Sequence, residues 1–400
     1  MSRRSDDVAF VGGLVLGVAV LVVFGFFSLR DGIVAHNDFT YVWAGARVVL
    51  DGANPYDSQT WPELTRAYRT ARPFETVFGY PPWVALGLLP LALLPVPIAS
   101  GLWTFGSMAL AAIAVRALLR SVAPKMPVAH FLAALALFAS QPGSANVWTG
   151  QWTFLLVAAM AVSVVAIREG RRLGLLAAIA LLAKPHLVAF ALVALARAVH
   201  ARLGLGALVL LGSALGATVA IGWLAFPDWL EAWRTSLFAQ RFAVRLPTTL
   251  DTSLTDLLGP AGHVLAAAAV FALAFAGLTF DPKGDAFLAV WLAISATTTV
   301  YGWSYDHLVL IVPLVIATGV LGRRSPAAAT AFASLAFTFF LIAPTLLYLV
   351  ADARANESFN AAVPLALCVL CLLALRSRRR EAETAWSGPV ERVTAPRLAL

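Results

Sequence analysis

The sequence predicts an all-α integral membrane protein, a polytopic bundle of about twelve transmembrane helices whose first outer loop carries juxtamembrane surface helices. Three observations predict it. Hydrophobic residues make up 60% of the chain and charged residues only 12%, where an ordinary soluble domain has about 25% charged residues. The mean hydropathy is +0.82. Long apolar stretches alternate with short basic bursts along the whole length.

The elements follow in order. Residues 8–29, VAFVGGLVLGVAVLVVFGFFSL, are long enough as a helix to cross a hydrocarbon layer of about 30 Å at about 1.5 Å per residue. The run exceeds a signal-peptide core and no small-x-small cleavage site follows, so it is expected to stay as an anchor. Further apolar segments lie at 97–119, 127–141, 150–167, 173–185, 187–200, 204–226, 263–280, 286–300, 307–322, 327–350 and 361–376. Residues 81–95, PPWVALGLLPLALLP, are ambiguous between a crossing and a helix on the outer face.

Charge decides the topology. Basic bursts occur at Arg3 and Arg4, Arg116 to Lys125, Arg168 to Arg172, Arg197 to Arg202, Arg323 and Arg324, and Arg376 to Arg380. With 81–95 on the outer surface, twelve spans and both termini inside, every burst falls on one side. That side then holds 19 of the 29 Lys and Arg but only 8 of the 21 Asp and Glu, as expected of cytoplasmic loops. The expectation is a multi-pass protein with cytoplasmic termini, and the abundance of Ala, Arg, Gly and Leu points to the plasma (inner) membrane of a GC-rich bacterium. Residues 1–376 read as one transmembrane domain with outer loops at about 30–80 and 227–262, and 377–400 as a basic, disordered cytoplasmic tail. No basic stripe interleaved with aromatics appears, which argues against nucleic-acid binding despite the net charge of +8. Cys368 and Cys371, in the last apolar segment, read as packing residues and give no disulfide or metal signal.

Long loops in a compact domain are usually functional. The first outer loop has helical patches at about 38–50 and 62–70, with a turn at Asn54-Pro55 between them. Asn37 or Asp38 can cap the helix that follows. The other reading of Asp38, beside His36 where the chain leaves the lipid, is a general base for a hydroxyl nucleophile. Trp43, Trp61, Trp83, Trp148 and Trp152 fit an interfacial aromatic belt.

Several stretches together resemble glycosyltransferase family 87, polytopic enzymes of the GT-C superfamily that include polyprenol-phosphate-mannose-dependent mannosyltransferases. They are Asp38-Phe39 with Tyr41, Ala44 or Ala46, Leu50, Gly52 and Asn54-Pro55-Tyr56-Asp57; Phe78-x-Tyr80-Pro81-Pro82 and Pro90; Gly150-Gln151; Lys184-Pro185; and YGWSYDHLVLIVPL from Tyr301. The resemblance runs from about residue 36 to 315 and implies a GT-C-like bundle cradling a lipid-linked sugar on its outer face. Its implied reaction moves a sugar, mannose first, from a polyprenyl-phosphate donor to a lipid-linked or membrane-exposed glycan acceptor, with inversion. No cofactor is implied. The superfamily often shows paired carboxylates, whereas Asp38 has no adjacent acidic partner, so no metal is expected and Asp38 stands as the single base.

The remaining candidates each have a plainer reading. Lys184 is a donor-phosphate contact or a snorkelling lysine. His307 is a catalytic residue at the phosphate or acceptor, or an interfacial histidine held by Asp306, with Tyr305 beside it. Asn146 and Gln151 contact a sugar or cap helices, and His186 lines the site or faces the interface. Arg241 and Arg245 clamp a phosphate or are solvated loop charges. Tyr41, His36, Tyr305 and Asp306 join as substrate contacts. The rivals are a transporter or flippase, whose charges would sit at mid-membrane, and a surface-polysaccharide ligase or polymerase, for which Arg241 and Arg245 would be the paired arginines.

Overall fold

The structure is a computed structural model that describes residues 3–30, 38–68, 77–240, 247–354 and 356–386. Most of these residues are helical, and there is no β-strand among them. The chain opens with α1 (Arg3–Arg30). The first loop holds α2 (Asp38–Leu50), α3 (Thr60–Ala67), α4 (Pro82–Gly87) and α5 (Leu89–Ala92). Next come α6 (Val96–Val122), α7 (Pro127–Ala139), α8 (Gln141–Thr149) and α9 (Thr153–Glu169), then a 3-10 helix, Arg172–Ala183. The second half has α10 (Pro185–Leu203), α11 (Leu205–Ala225), α12 (Trp229–Gln240), α13 (Leu250–Leu258), α14 (Ala261–Leu278) and α15 (Asp285–Thr297). A 3-10 turn, Ser304–Leu310, leads into α16 (Ile311–Gly322); α17 (Pro326–Arg354) and a second 3-10 turn, Ser358–Ala361, lead into α18 (Ala362–Trp386).

Among the described residues, eight helical stretches are long and apolar enough to cross a membrane, nine if α7 and α8, bent by 42°, form one broken span. The chain is therefore a multi-pass membrane protein. The other expected spans correspond to shorter elements: α7, α9, the 3-10 helix at 172–183 and α15. The 17 residues of α9 rise only about 25 Å. Residues 81–95 form α4 and α5, of 6 and 4 residues, too short to span. α18 continues to Trp386, so the first ten residues of the expected tail are helical.

The core centres on 304–322, whose apolar window is 89% buried, whereas those of α11 and α14 are only 17% and 22% buried and lie at the periphery. α1 packs along α7 through Gly13 and Gly17. A Cβ on Gly13 would lie 2.3 Å from the Phe131 carbonyl oxygen and one on Gly17 3.2 Å from that of Leu135. Close backbone approach of this kind is what small residues four apart permit between membrane helices.

Aromatic residues build the first loop. The Tyr41 hydroxyl accepts from the Gly79 N–H at 2.8 Å and donates to the Val77 carbonyl at 3.3 Å; its ring stacks on Phe78 and meets Trp61 edge-on. The Asn54-Pro55 turn forms as expected, with Asn54 Oδ1 accepting from the Tyr56 N–H at 2.9 Å. Indole N–H groups tie this layer to the bundle: Trp43 donates to Leu94 O at 3.2 Å, Trp83 to Leu182 O at 2.7 Å and Trp233 to Gly79 O at 2.8 Å. These tryptophans are thus anchors between elements.

Candidate active site

Asp38 is the first residue of α2. Its Oδ2 accepts a hydrogen bond from the side-chain amide of Gln151, so the acid of the first loop meets the turn between α8 and α9. That turn is shaped by Gly150, which ends α8 in the left-handed region at φ 65°, a conformation glycine adopts without steric cost. The Gly150 carbonyl accepts from Trp103 Nε1 at 2.9 Å, and the Gln151 N–H donates to Asn146 O at 3.2 Å.

From α8 the network continues into 304–310. Asn146 Nδ2 donates to Tyr305 O at 2.7 Å and to Pro142 O at 2.8 Å. Asp306, almost wholly buried, is surrounded by donors. Its Oδ1 accepts from Lys184 Nζ at 2.6 Å and from the Thr153 hydroxyl at 3.2 Å, and its Oδ2 accepts from the Trp303 N–H at 3.1 Å. Lys184 sits at the junction of the 3-10 helix and α10, just before Pro185, with its ammonium 4.8 Å from the Tyr305 ring centroid. A buried charge demands such a partner, because removal from water costs several kcal/mol per ion. The lysine is therefore an internal ion pair and does not reach out to the interface.

The other candidates fall around this core. His307 is buried, with Nδ1 lacking a partner. The His186 ring meets Tyr301 edge-on at 5.6 Å, and Tyr301 accepts from Trp303 Nε1 at 3.0 Å. Tyr41 braces the loop, its hydroxyl engaged by Gly79 and Val77. His36, Arg241 and Arg245 lie outside the described residues. Among the described residues no group of three or more His, Cys, Asp and Glu is placed to hold a metal ion.

Sequence reasoning missed Thr153, Gln141, Ser304 and Glu357. Gln141 Nε2 donates to the Ser304 hydroxyl at 2.9 Å, and the buried Glu357 accepts from the Ser304 N–H at 3.3 Å. The only sequence signal for Glu357 is an acid in a short connection between two apolar segments. Among the described residues, buried atoms in this region without a partner include Gln141 Oε1, Asn146 Oδ1, Gln151 Oε1 and His307 Nδ1. A ligand rich in hydroxyls satisfies acceptors of this kind, and an unmet buried acceptor costs about 1–3 kcal/mol.

The profile of glycosyltransferase family 87 matches residues 78–300, more than half of the chain. The protein belongs to glycosyltransferase family 87. No curated protein and no solved structure matches it. Family 87 membership makes it a membrane glycosyltransferase, using a sugar donor and an acceptor in the membrane. The matched stretch of this family 87 chain includes Asn146, Gln151, Thr153, Lys184 and His186; Asp38 and the 301–307 segment lie beyond its ends and join the site through the hydrogen bonds above.

Proposed function

We propose that the protein transfers mannose from a polyprenyl-phosphate donor to a hydroxyl of a lipid-linked or membrane-exposed glycan, at the outer face of a bacterial plasma membrane. The observation that carries this reading is the Asp38–Gln151 hydrogen bond. It brings a half-buried carboxylate on a loop helix against the network that holds Lys184, within a family 87 chain.

Asp38 takes the proton from the acceptor hydroxyl as that oxygen attacks the anomeric carbon. The new C–O bond forms opposite the departing oxygen, the old bond breaks, and its electron pair leaves with the polyprenyl phosphate, so the configuration inverts. Phosphate leaves without protonation, but its developing charge needs preorganised cations in a site of low dielectric. Lys184 supplies one: Asp306 engages it on one side, and an ammonium has three donors. His307, Arg241 and Arg245 are the further candidates at the phosphate. Asn146 and Gln151, whose amide oxygens are unpartnered and buried, receive sugar hydroxyls, and Tyr305 and His186 wall the same region. The apolar donor tail explains the lipid-facing bundle, and no metal or cofactor is required.

The test is transfer of labelled sugar from a panel of polyprenyl-phosphate sugars, in membranes holding wild type or Asp38→Asn. Removing a general base should lower mannosyl transfer by about 10²-fold or more, with donor binding retained. Equal transfer by both proteins would reduce Asp38 to a helix-terminal acid, and wild-type transfer from a different sugar alone would correct the donor.

A further inference from the structure

At the other end of the same helices lies a second polar centre. α9 carries Thr153 beside Asp306 at its start and Arg168 at its end, about 22 Å apart along the helix. α10 likewise runs from Lys184 to Arg202, and 304–322 from Asp306 to Arg323. The three guanidinium groups converge on one carboxylate, Asp285 at the start of α15. Arg202 Nη1 is 3.1 Å from its Oδ1, Arg323 Nη2 is 3.0 Å from its Oδ2, and Arg168 Nη1 is also paired to Oδ2. Arg197 adds a fourth cation nearby, 5.5 Å over the Phe287 ring.

Three cations on one anion leave a surplus of two positive charges at a carboxylate whose side chain is only 8% exposed. The C-terminal ends of α9, α10 and α16 offset part of it, each carrying about half a negative charge. They do not satisfy the hydrogen bonds. Arg168 spends Nε and Nη2 on Ser121 Oγ and O, at 3.0 and 2.9 Å. Arg202 spends only Nη1, and its Nε and Nη2 are buried with no partner. Those two nitrogens form the edge of the guanidinium that grips two oxygens of one oxyanion at once. Arg323, half-exposed, stands where the cluster opens to solvent.

We infer that this centre binds a phosphate group, held in a bidentate grip by Arg202 and neutralised with Arg168 and Arg323, at the end of the bundle opposite the sugar-transfer site. The phosphate belongs to an anionic lipid headgroup or to a small soluble phosphate. An occupied centre would lock the ends of α6, α9, α10, α15 and α16 together, since Ser121, Arg168, Arg202, Asp285 and Arg323 come from those five helices or their ends.

The experiment uses the full chain purified in detergent and reads binding and melting temperature, without any sugar transfer. One arm adds phosphatidylglycerol, a second phosphatidylcholine, a third inorganic phosphate, and native mass spectrometry counts retained lipid. Phosphatidylglycerol retention and a raised Tm assign the headgroup; stabilisation by inorganic phosphate alone assigns the soluble source. Arg202→Lys keeps the charge and the Asp285 partner but loses the two-nitrogen edge, and should weaken binding about tenfold, the cost of one charge-assisted hydrogen bond. Arg323→Gln, at the exposed rim, should weaken it less and leaves the buried pairs intact if the first variant fails to fold. Indifference of wild type to all three additions, or wild-type binding by both variants, overturns the inference.

Discussion

Lys184 and Asp306 show why single residues mislead. Read along the chain, each is an isolated charge at the end of an apolar segment; in the fold they are 2.6 Å apart with side chains 6% and 2% exposed. Lys184→Met leaves the carboxylate buried and uncompensated, and should cost about 3–5 kcal/mol in detergent unfolding. Asp306→Asn added to that variant should recover part of the loss, because the amide oxygen can still accept from the Trp303 N–H while its NH2 group, in place of Oδ1, donates to the Thr153 hydroxyl oxygen. A double variant as unstable as the single one would mean that packing around the methylene stem, and not charge, sets the cost. Asp38 and Gln151 were both legible as candidates in the sequence, yet nothing in it tied them, 113 residues apart, to one hydrogen bond. Glu357 and Thr153 were not legible, because an acid or a threonine near a helix end has many ordinary uses.

Among the elements, α1 and the first loop carry the clearest predictions. Gly12 and Gly13 are neighbours, but a Cβ on Gly12 stays 4.0 Å from the Phe131 ring while one on Gly13 would reach 2.3 Å from the Phe131 carbonyl. Gly13→Ala should therefore destabilise by about 1–3 kcal/mol, the usual cost of overpacking, and Gly12→Ala should be close to neutral. Equal melting temperatures for the two would rule out the close α1–α7 contact. In the loop, Asp51 joins the end of α2 to the end of α3 by accepting from the Tyr68 hydroxyl and pairing with Arg47 Nη2 at 2.8 Å. The Tyr68 hydrogen bond, and then Arg47, hold its carboxyl below the ordinary 3.8. A lowered carboxyl stabilises the fold above its unfolded value and loses that contribution as pH falls through the folded value. The pair is a third exposed, so the effect stays below about 1 kcal/mol. The stability difference between wild type and Asp51→Asn should be flat from pH 7 to 5 and shrink as the pH falls below 3.8 toward the lowered folded value; a difference that grows on acidification would contradict this. Here the sequence located the two loop helices and the Asn54-Pro55 turn, because amphipathic patches and turn residues are local signals. It counted the elements at 172–183 and 285–297, of 12 and 13 residues, among its spans, because hydropathy marks apolar chain but not where a helix stops.

For the whole molecule, the two polar centres divide the helix ends into two sets. Asp38, Gln151, Lys184 and Asp306 lie at one end, and Arg168, Arg202, Asp285 and Arg323 at the other. We propose that the first set faces outward and the second faces the cytoplasm, the side to which positive-inside bias assigns the basic bursts. Cys368 and Cys371 are buried, so engineered thiols can be read against a quiet background. In intact cells a membrane-impermeant maleimide should label Ser58→Cys and spare Lys283→Cys, both at exposed positions; the reverse pattern would invert the topology and move the sugar site to the cytoplasm.

The sequence by itself determined that this is a multi-pass helical membrane protein, where its apolar segments lie and which bursts are basic. Those properties are sums over neighbouring residues: transfer of a segment into lipid depends on its own composition, and charge bias on its own loops. Tertiary structure decided which polar groups meet. Lys184 finds Asp306 across 122 residues, and Arg168, Arg202 and Arg323 find Asp285, because helix packing brings their ends together, and inside the membrane a buried charge is stable only where that packing supplies a partner.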